Sequence, residues 1–193
     1  MKWFWVISCD NTVPNPLVAY EGELGEFEDE LDICRPIDVW PGTAWVGVGR
    51  EGLDGDPDDV LQTCFPLPIY SSRLRWALVA AGISVVQYLP IQVFLTSGEP
   101  LTGFSVANIL NSVDALDLEH STVERYEADY FLPNRRGLIS GVTRPVLVRR
   151  AVVGYDIVRL SSYQAPIYVS ERFVGVFESG NFTGYSFCEV GTV

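Results

Sequence analysis

The sequence predicts an α+β fold: a single domain built on a largely antiparallel sheet, with two or three short helices packed on it. Three observations carry this. Short runs rich in β-branched and aromatic residues recur along the chain, bounded by proline, glycine and asparagine. Only a few segments show apolar residues at helical spacing. The 193 residues are 48% hydrophobic and 20% charged, with five Trp, nine Tyr and ten Phe, a composition that fills a core without disulfides or metals.

Trp3–Phe4–Trp5–Val6–Ile7 reads as an opening strand, ended by Pro14 and Pro16. Residues 21–32 then hold seven acids in twelve positions. Leu24, Phe27 and Leu31 would give that segment one apolar stripe if helical, although Gly22 and Gly25 weaken a helix by about 1 kcal/mol each. It is a solvated surface segment or an acidic arm offered to a partner, with Glu26, Glu28, Asp29 and Glu30 as the candidate contacts. A strand is expected from Trp40 to Val48, around the Pro41–Gly42 turn.

Asp54–Gly55–Asp56–Pro57–Asp58–Asp59 invites a calcium reading and fails it. Asp59 stands where the loop needs Gly, and Phe65 where it needs a bidentate Glu. Asp56 ahead of Pro57 predicts a helix start instead, with Asp58 and Asp59 at its positive end.

From residue 67 a weak internal repeat emerges. Ile69–Tyr70, Ser72–Arg73–Leu74, Leu78 and Gly82 parallel Ile167–Tyr168, Ser170–Glu171–Arg172–Phe173, Phe177 and Gly180. In each, a strand meets a serine able to cap a short helix, an apolar i, i+4 pair docks that helix, and a glycine releases the chain. Two β-α-β-like corners on one sheet are expected.

Between them, Val106, Ile109 and Leu110 suit one strand, and Val113, Leu116 and Leu118 the next. Asp117, Glu119 and Ser121 would then alternate along one face, with His120 on the other. Ser121 or Thr122 would cap a short helix containing Glu124, Glu127 and Asp129. Asn134–Gly137 reads as a turn, and Val146–Val148 and Val152–Tyr155 as strands. Five arginines between Arg135 and Arg150 form a basic patch, read as a balance to the acidic segments.

Charge is uneven. Residues 1–66 carry net −11 and residues 67–193 net −1, within a total of −12. So acidic a chain is repelled by nucleic acid and anionic membranes. Cys9, Cys34, Cys64 and Cys188 show no metal spacing and are expected to be reduced and buried. The apolar run before Cys9 is too short for a secretory core or a membrane span, so a cytoplasmic protein is expected. One histidine excludes a multi-histidine metal centre, and no metalloprotease, phosphate-loop, nucleophile-elbow or dinucleotide motif is present. The only carboxylates read as sharing a face for acid–base work are Asp117 and Glu119.

A resemblance adds to this. Asn108–Ile109–Leu110, Val113–Asp114–Ala115–Leu116–Asp117 and Glu119–His120–Ser121 resemble the central signature of an immunity-protein family of bacterial polymorphic toxin systems. Upstream, Leu67–Leu74 leading to Val86–Ile91 is similar to that family's strand, helix and proline-ended strand. Downstream, Ile167–Glu171 and Gly180–Phe187 are similar to its closing segment. The likeness spans residues 67–190, with Glu124–Arg150 departing from the pattern. It implies an α+β protein, without cofactor or catalysis, that binds and blocks a cognate toxin. Asn108, Asp114, Asp117, Glu119 and Ser121 are its polar motif positions. The acidic front third points to a basic toxin, of which a nuclease with a cationic groove is one kind. Two further classes stay open: a small enzyme using the Asp117/Glu119 face, and a ligand-binding or scaffold module.

Overall fold

A computed structural model describes residues 1–7, 18–23, 34–49, 57–63 and 68–193, with residues 18–21 and 62 as backbone only. Glu26, Glu28, Asp29 and Glu30, the Leu24–Phe27–Leu31 stripe, Asp54, Asp56, Cys9 and Cys64 lie outside the described residues.

The strands are β1 (Trp3–Ile7), β2 (Val18–Glu23), β3 (Trp45–Gly49), β4 (Val60–Thr63), β5 (Ile69–Ser71), β6 (Val86–Pro90), β7 (Gln92–Leu95), β8 (Pro100–Leu101), β9 (Phe104–Ile109), β10 (Ser112–Val113), β11 (Thr122–Arg125), β12 (Ile139–Arg144), β13 (Val146–Leu147), β14 (Ile157–Leu160), β15 (Tyr163–Ser170) and β16 (Ser186–Thr192). Among the described residues the helices are α1 (Ser72–Ala80), α2 (Arg149–Val152) and α3 (Glu171–Ser179), with a 3-10 turn at Pro133–Arg135. The fold is α+β, as expected, but it is not built on one sheet. Eight strands run in the order β6-β9-β5-β4-β2-β3-β7-β8, six in the order β10-β14-β15-β1-β16-β13, and β11 with β12 forms a separate ribbon. Both large sheets are mixed: β2/β4 and β3/β7 are parallel in one, β10/β14 and β13/β16 in the other.

The internal repeat organises both sheets. Chain β5–α1–β6 flanks β9, and chain β15–α3–β16 flanks β1, with every contact to the central strand antiparallel. Each is a split β-α-β unit. The two corners therefore sit on different sheets. What joins them is a shared core: Leu74 and Leu78 of α1 meet Phe173 and Phe177 of α3, with Tyr70, Ala107 and Ile109 from one sheet and Val6, Ile167 and Val169 from the other. Fully burying each of these large side chains contributes about 1.5–3 kcal/mol.

Strand periodicity distributes the rest. On β1, Phe4 and Val6 face the shared core, while Trp3 and Trp5 face a second cluster with Tyr168, Val158, Leu147 and Val190. On β9, Ala107 and Ile109 face the shared core and Val106 joins Val46, Val48, Ile69, Leu89 and Val93 on the outer face.

Several expected elements differ. Pro57–Asp59 is irregular chain leading into β4, not a helix start, because Asp59 is engaged by Arg73. Residues 122–125 form β11, not an acidic helix, because β12 supplies a partner for Val123 opposite Val142. Val152–Tyr155 is the end of α2 and a turn. Cys34 is buried, whereas Cys188 is exposed.

Candidate interaction surface

The carboxylates expected on one strand face are not on a strand. After β10, Leu116 makes a single bridge to Leu147, and residues 118–120 form a turn. Asp117 Oδ1 closes that turn by accepting from the backbone N–H of Glu119 and of His120, each at 2.9 Å. His120 Nδ1 lies 3.0 Å from the same oxygen, so His120 and Asp117 share a side rather than opposing one another. Bonds from the His120 backbone and ring hold the Asp117 carboxyl below the usual carboxylate range. Glu119 and Asp114 are exposed. Ser121 Oγ accepts from Val146 N at 2.9 Å, pinning this turn to β13.

Asn108 is buried and its work is structural. Its Nδ2 donates to the Arg35 carbonyl at 2.8 Å and to Gln87 Oε1 at 3.1 Å. Gln87 in turn pairs with both backbone groups of Ile37, at 2.9 and 2.7 Å. Two side-chain amides thus tie residues 35–37 onto the outer face of β6 and β9.

The polar pairs absent from the sequence reading are the two aspartate–serine–arginine nodes. Asp59 Oδ1 accepts from Ser71 Oγ at 2.6 Å and from Arg73 Nε at 3.1 Å, and its second oxygen pairs with the same guanidinium. Asp156 Oδ1 accepts from Ser170 Oγ at 2.7 Å, and its Oδ2 from Arg172 at 2.5 Å. Ser71 and Ser170 are the N-caps of α1 and α3, accepting from Leu74 N and Phe173 N. The cap of α1 is thus one residue ahead of Ser72. Each arginine then reaches the opposite helix: Arg73 donates to the carbonyl of Gly180, the C-cap of α3, and Arg172 to that of Ala81, the C-cap of α1. Neither helix has a base in its last turn, so each C-terminal dipole is met by the other half's cation. The sequence signal was Asp59–Val60 and Asp156–Ile157, an acid before a β-branched residue, ahead of each serine.

Two exposed surfaces stand out. On the outer face of α1, Trp76 is 64% exposed beside Val79, with the Arg75 guanidinium 5.5 Å from the Trp76 ring and 4.8 Å from that of Tyr88. The corresponding positions of α3 are Gly175 and Glu178. The larger surface is the β11–β12 ribbon and its tip. From residue 126 to 138 no residue is buried, and Phe131, Leu132 and Leu138 are exposed, Phe131 at 74%. Tyr126, Tyr130 and Phe131 pack in series at 4.5 Å between ring centroids. The tip's backbone bonds to itself: Tyr126 N to Leu138 O, Gly137 N to Tyr126 O, and Tyr130 N to Glu127 O. Arg125 donates to Gly137 O at 2.8 Å and Arg136 Nε to Tyr130 O at 2.7 Å, bracing the loop from within.

Other features are modest. A shallow depression of about 610 Å³ is lined by Asp117, Val148, Arg149, Arg150, Val153 and Val193. Among the described residues, no group of three or more His, Cys, Asp or Glu is gathered to hold a metal, and no helix is long and apolar enough to cross a membrane.

The frame is α+β, two split β-α-β units around a shared core, with polar nodes that brace the helix ends. This chain belongs to the Immunity protein family (Imm11), which it matches over residues 34–192. That match reaches 33 residues further upstream than the likeness read from residue 67, and it begins at Cys34, just ahead of Arg35 and Ile37, which Asn108 and Gln87 fasten. No curated protein matches the chain.

Proposed function

We propose that this protein binds a cognate protein toxin and neutralises it without turnover, acting as one folded unit in the cytoplasm of the bacterial cell that makes both. The observation that carries the reading is membership of an immunity protein family across residues 34–192. Supporting it, the described ion pairs at Asp59 and Asp156 brace helices, and Asp117 closes a turn.

The net charge of −12 favours a cationic toxin, drawn in over roughly a Debye length by an acidic surface. A nuclease whose groove is lined with lysine and arginine fits that description. Glu26, Glu28, Asp29 and Glu30 are the residues proposed to steer it.

The test is co-expression. The neighbouring gene is first checked for an effector with a toxic C-terminal domain, which is then induced with and without this protein while growth is followed. Protection, together with a stable complex of the purified pair, is the expected result; cells that die equally in both cases would sink the reading. Reversing the four acids to lysine should slow association about tenfold or more at low salt and little at high salt.

A further inference from the structure

We infer that the β11–β12 ribbon is the part that grips the partner, its Tyr126–Tyr130–Phe131 tip entering an apolar pocket rimmed by carboxylates on a protein surface. This rests on the toxin-binding reading and assigns the contact within it.

Four observations lead there. The tip adds nothing to the core, since residues 126–138 are all unburied, and burial begins only at Ile139 and Val142. A soluble protein seldom leaves so many large apolar side chains together in water unless something covers them. The tip is nevertheless built, several of its carbonyls and N–H groups bonded within it and its rings packed in series. Ordered loops of this length without core contacts are commonly functional. Its residue types, tyrosine, phenylalanine and arginine, are those that carry interfaces, and side chains already held lose little entropy on docking.

Charge selects the occupant. The ribbon, residues 122–144, holds Arg125, Arg135, Arg136 and Arg144, all exposed, against Glu124, Glu127 and Asp129. That is a local excess of one positive charge in a chain of net −12. The complement is anionic. Arginine makes up twelve of the thirteen basic residues, and its planar fork pairs with carboxylates two bonds at a time. A nucleic acid would also satisfy arginines and stack on rings, but a polyanion meets the repulsion of the whole chain. A protein presenting a few carboxylates around a pocket does not. The acidic front sets the approach, and the ribbon sets the hold.

The experiment uses the full chain, the toxic domain of the adjacent effector, and a single-stranded 20-mer oligonucleotide. Phe131→Ala, and Arg135→Glu, should each speed dissociation from the domain about 30-fold with the melting temperature unchanged; Arg136 stays in place because it braces the loop. In the wild-type complex, amides of residues 126–138 should become protected from hydrogen exchange. Dissociation at the wild-type rate, or residues 126–138 exchanging as freely in the complex as alone, overturns the assignment and leaves the toxin reading standing. Oligonucleotide binding that the arginine reversal abolishes, with the toxin held as before, overturns it in favour of nucleic acid. A wild-type chain that does not bind the domain removes both. Should a variant melt early, the exchange measurement on the wild-type complex decides alone.

Discussion

Arg73 and Arg172, 99 residues apart, each pair with an aspartate in their own half and donate to the carbonyl that ends the helix of the other half. The same displacement takes Ser71 to Ser170, Leu74 to Phe173, Leu78 to Phe177 and Gly82 to Asn181. The last two both have positive φ, +74° and +49°. This correspondence makes the shared core a meeting of like with like. It also means that one arginine serves the aspartate of its own half and the helix end of the other at once.

Arg73→Met should therefore lower stability by about 2 kcal/mol, since Asp59 is nearly buried and keeps only Ser71 Oγ and Thr183 N among its partners. Adding Asp59→Asn should cost less than the sum of the single changes. Urea unfolding of the two single variants and the double checks this, and strict additivity would show that the pair is not coupled.

Tyr70 and Tyr185 meet in the shared core, hydroxyl to hydroxyl at 3.1 Å. Burial pushes both phenols above their ordinary value. A group whose pKa is raised on folding supports the fold in full below its unfolded pKa, here about 10, and that support is lost as pH climbs beyond it. Tyr70→Phe should cost about 1–2 kcal/mol at neutral pH by leaving Tyr185 unpartnered, and Tyr70→Phe with Tyr185→Phe less than twice that. The double variant should also lose stability less steeply above pH 10 in denaturant melts. An unchanged alkaline slope would contradict the assignment.

Two glycines give a paired test of space against backbone angle. Gly184 has φ +99°, and a Cβ there would lie 2.2 Å from the Val60 carbonyl. Gly98 has φ +81° with nothing within 4 Å. Gly184→Ala should cost about 3 kcal/mol or more, against about 1 kcal/mol for Gly98→Ala. Thermal melts that rank the two equally would show that β4 yields to make room.

Asp117 offers a local pH test. Its depressed carboxyl pKa means that its support is present above the unfolded value, about 4, and is lost as pH falls through the folded value. Asp117→Asn should raise hydrogen exchange at Glu119 and His120 several-fold, with little change in melting temperature. The wild-type turn should lose protection factors in the same place on acidification. Equal protection in both proteins would mean that the carboxylate contributes nothing there.

Local chemistry was legible wherever its partners were near in sequence. Trp3–Ile7, the serine-capped helices with their i, i+4 docking pairs, and the Asn134–Gly137 turn follow from neighbours a few residues away. Residues decided from afar were misread. Asp58 and Asp59 after Pro57 carry the same local signal whether a helix or a strand follows, and Arg73 settled it. Thr122–Arg125 would suit a capped acidic helix in isolation, but Val142 and Ile139 offered it a ladder. The alternation of Asp117, Glu119 and Ser121 matched a strand, yet Asp117 turned back on its own backbone. The candidate contact surface was similarly hidden: five arginines were visible as a charge run, but the series of rings beside them exists only once β11 and β12 pair.

The placement of β1 between β15 and β16 also sets an order of events. During synthesis Trp3–Ile7 leaves the ribosome well ahead of both of its neighbours, which lie beyond residue 162. The second sheet is thus completed late, by contacts across nearly the whole chain, and such closures are slow. Until then a stretch of tryptophan and phenylalanine waits uncovered in the nascent polypeptide, a natural stopping place for a chaperone.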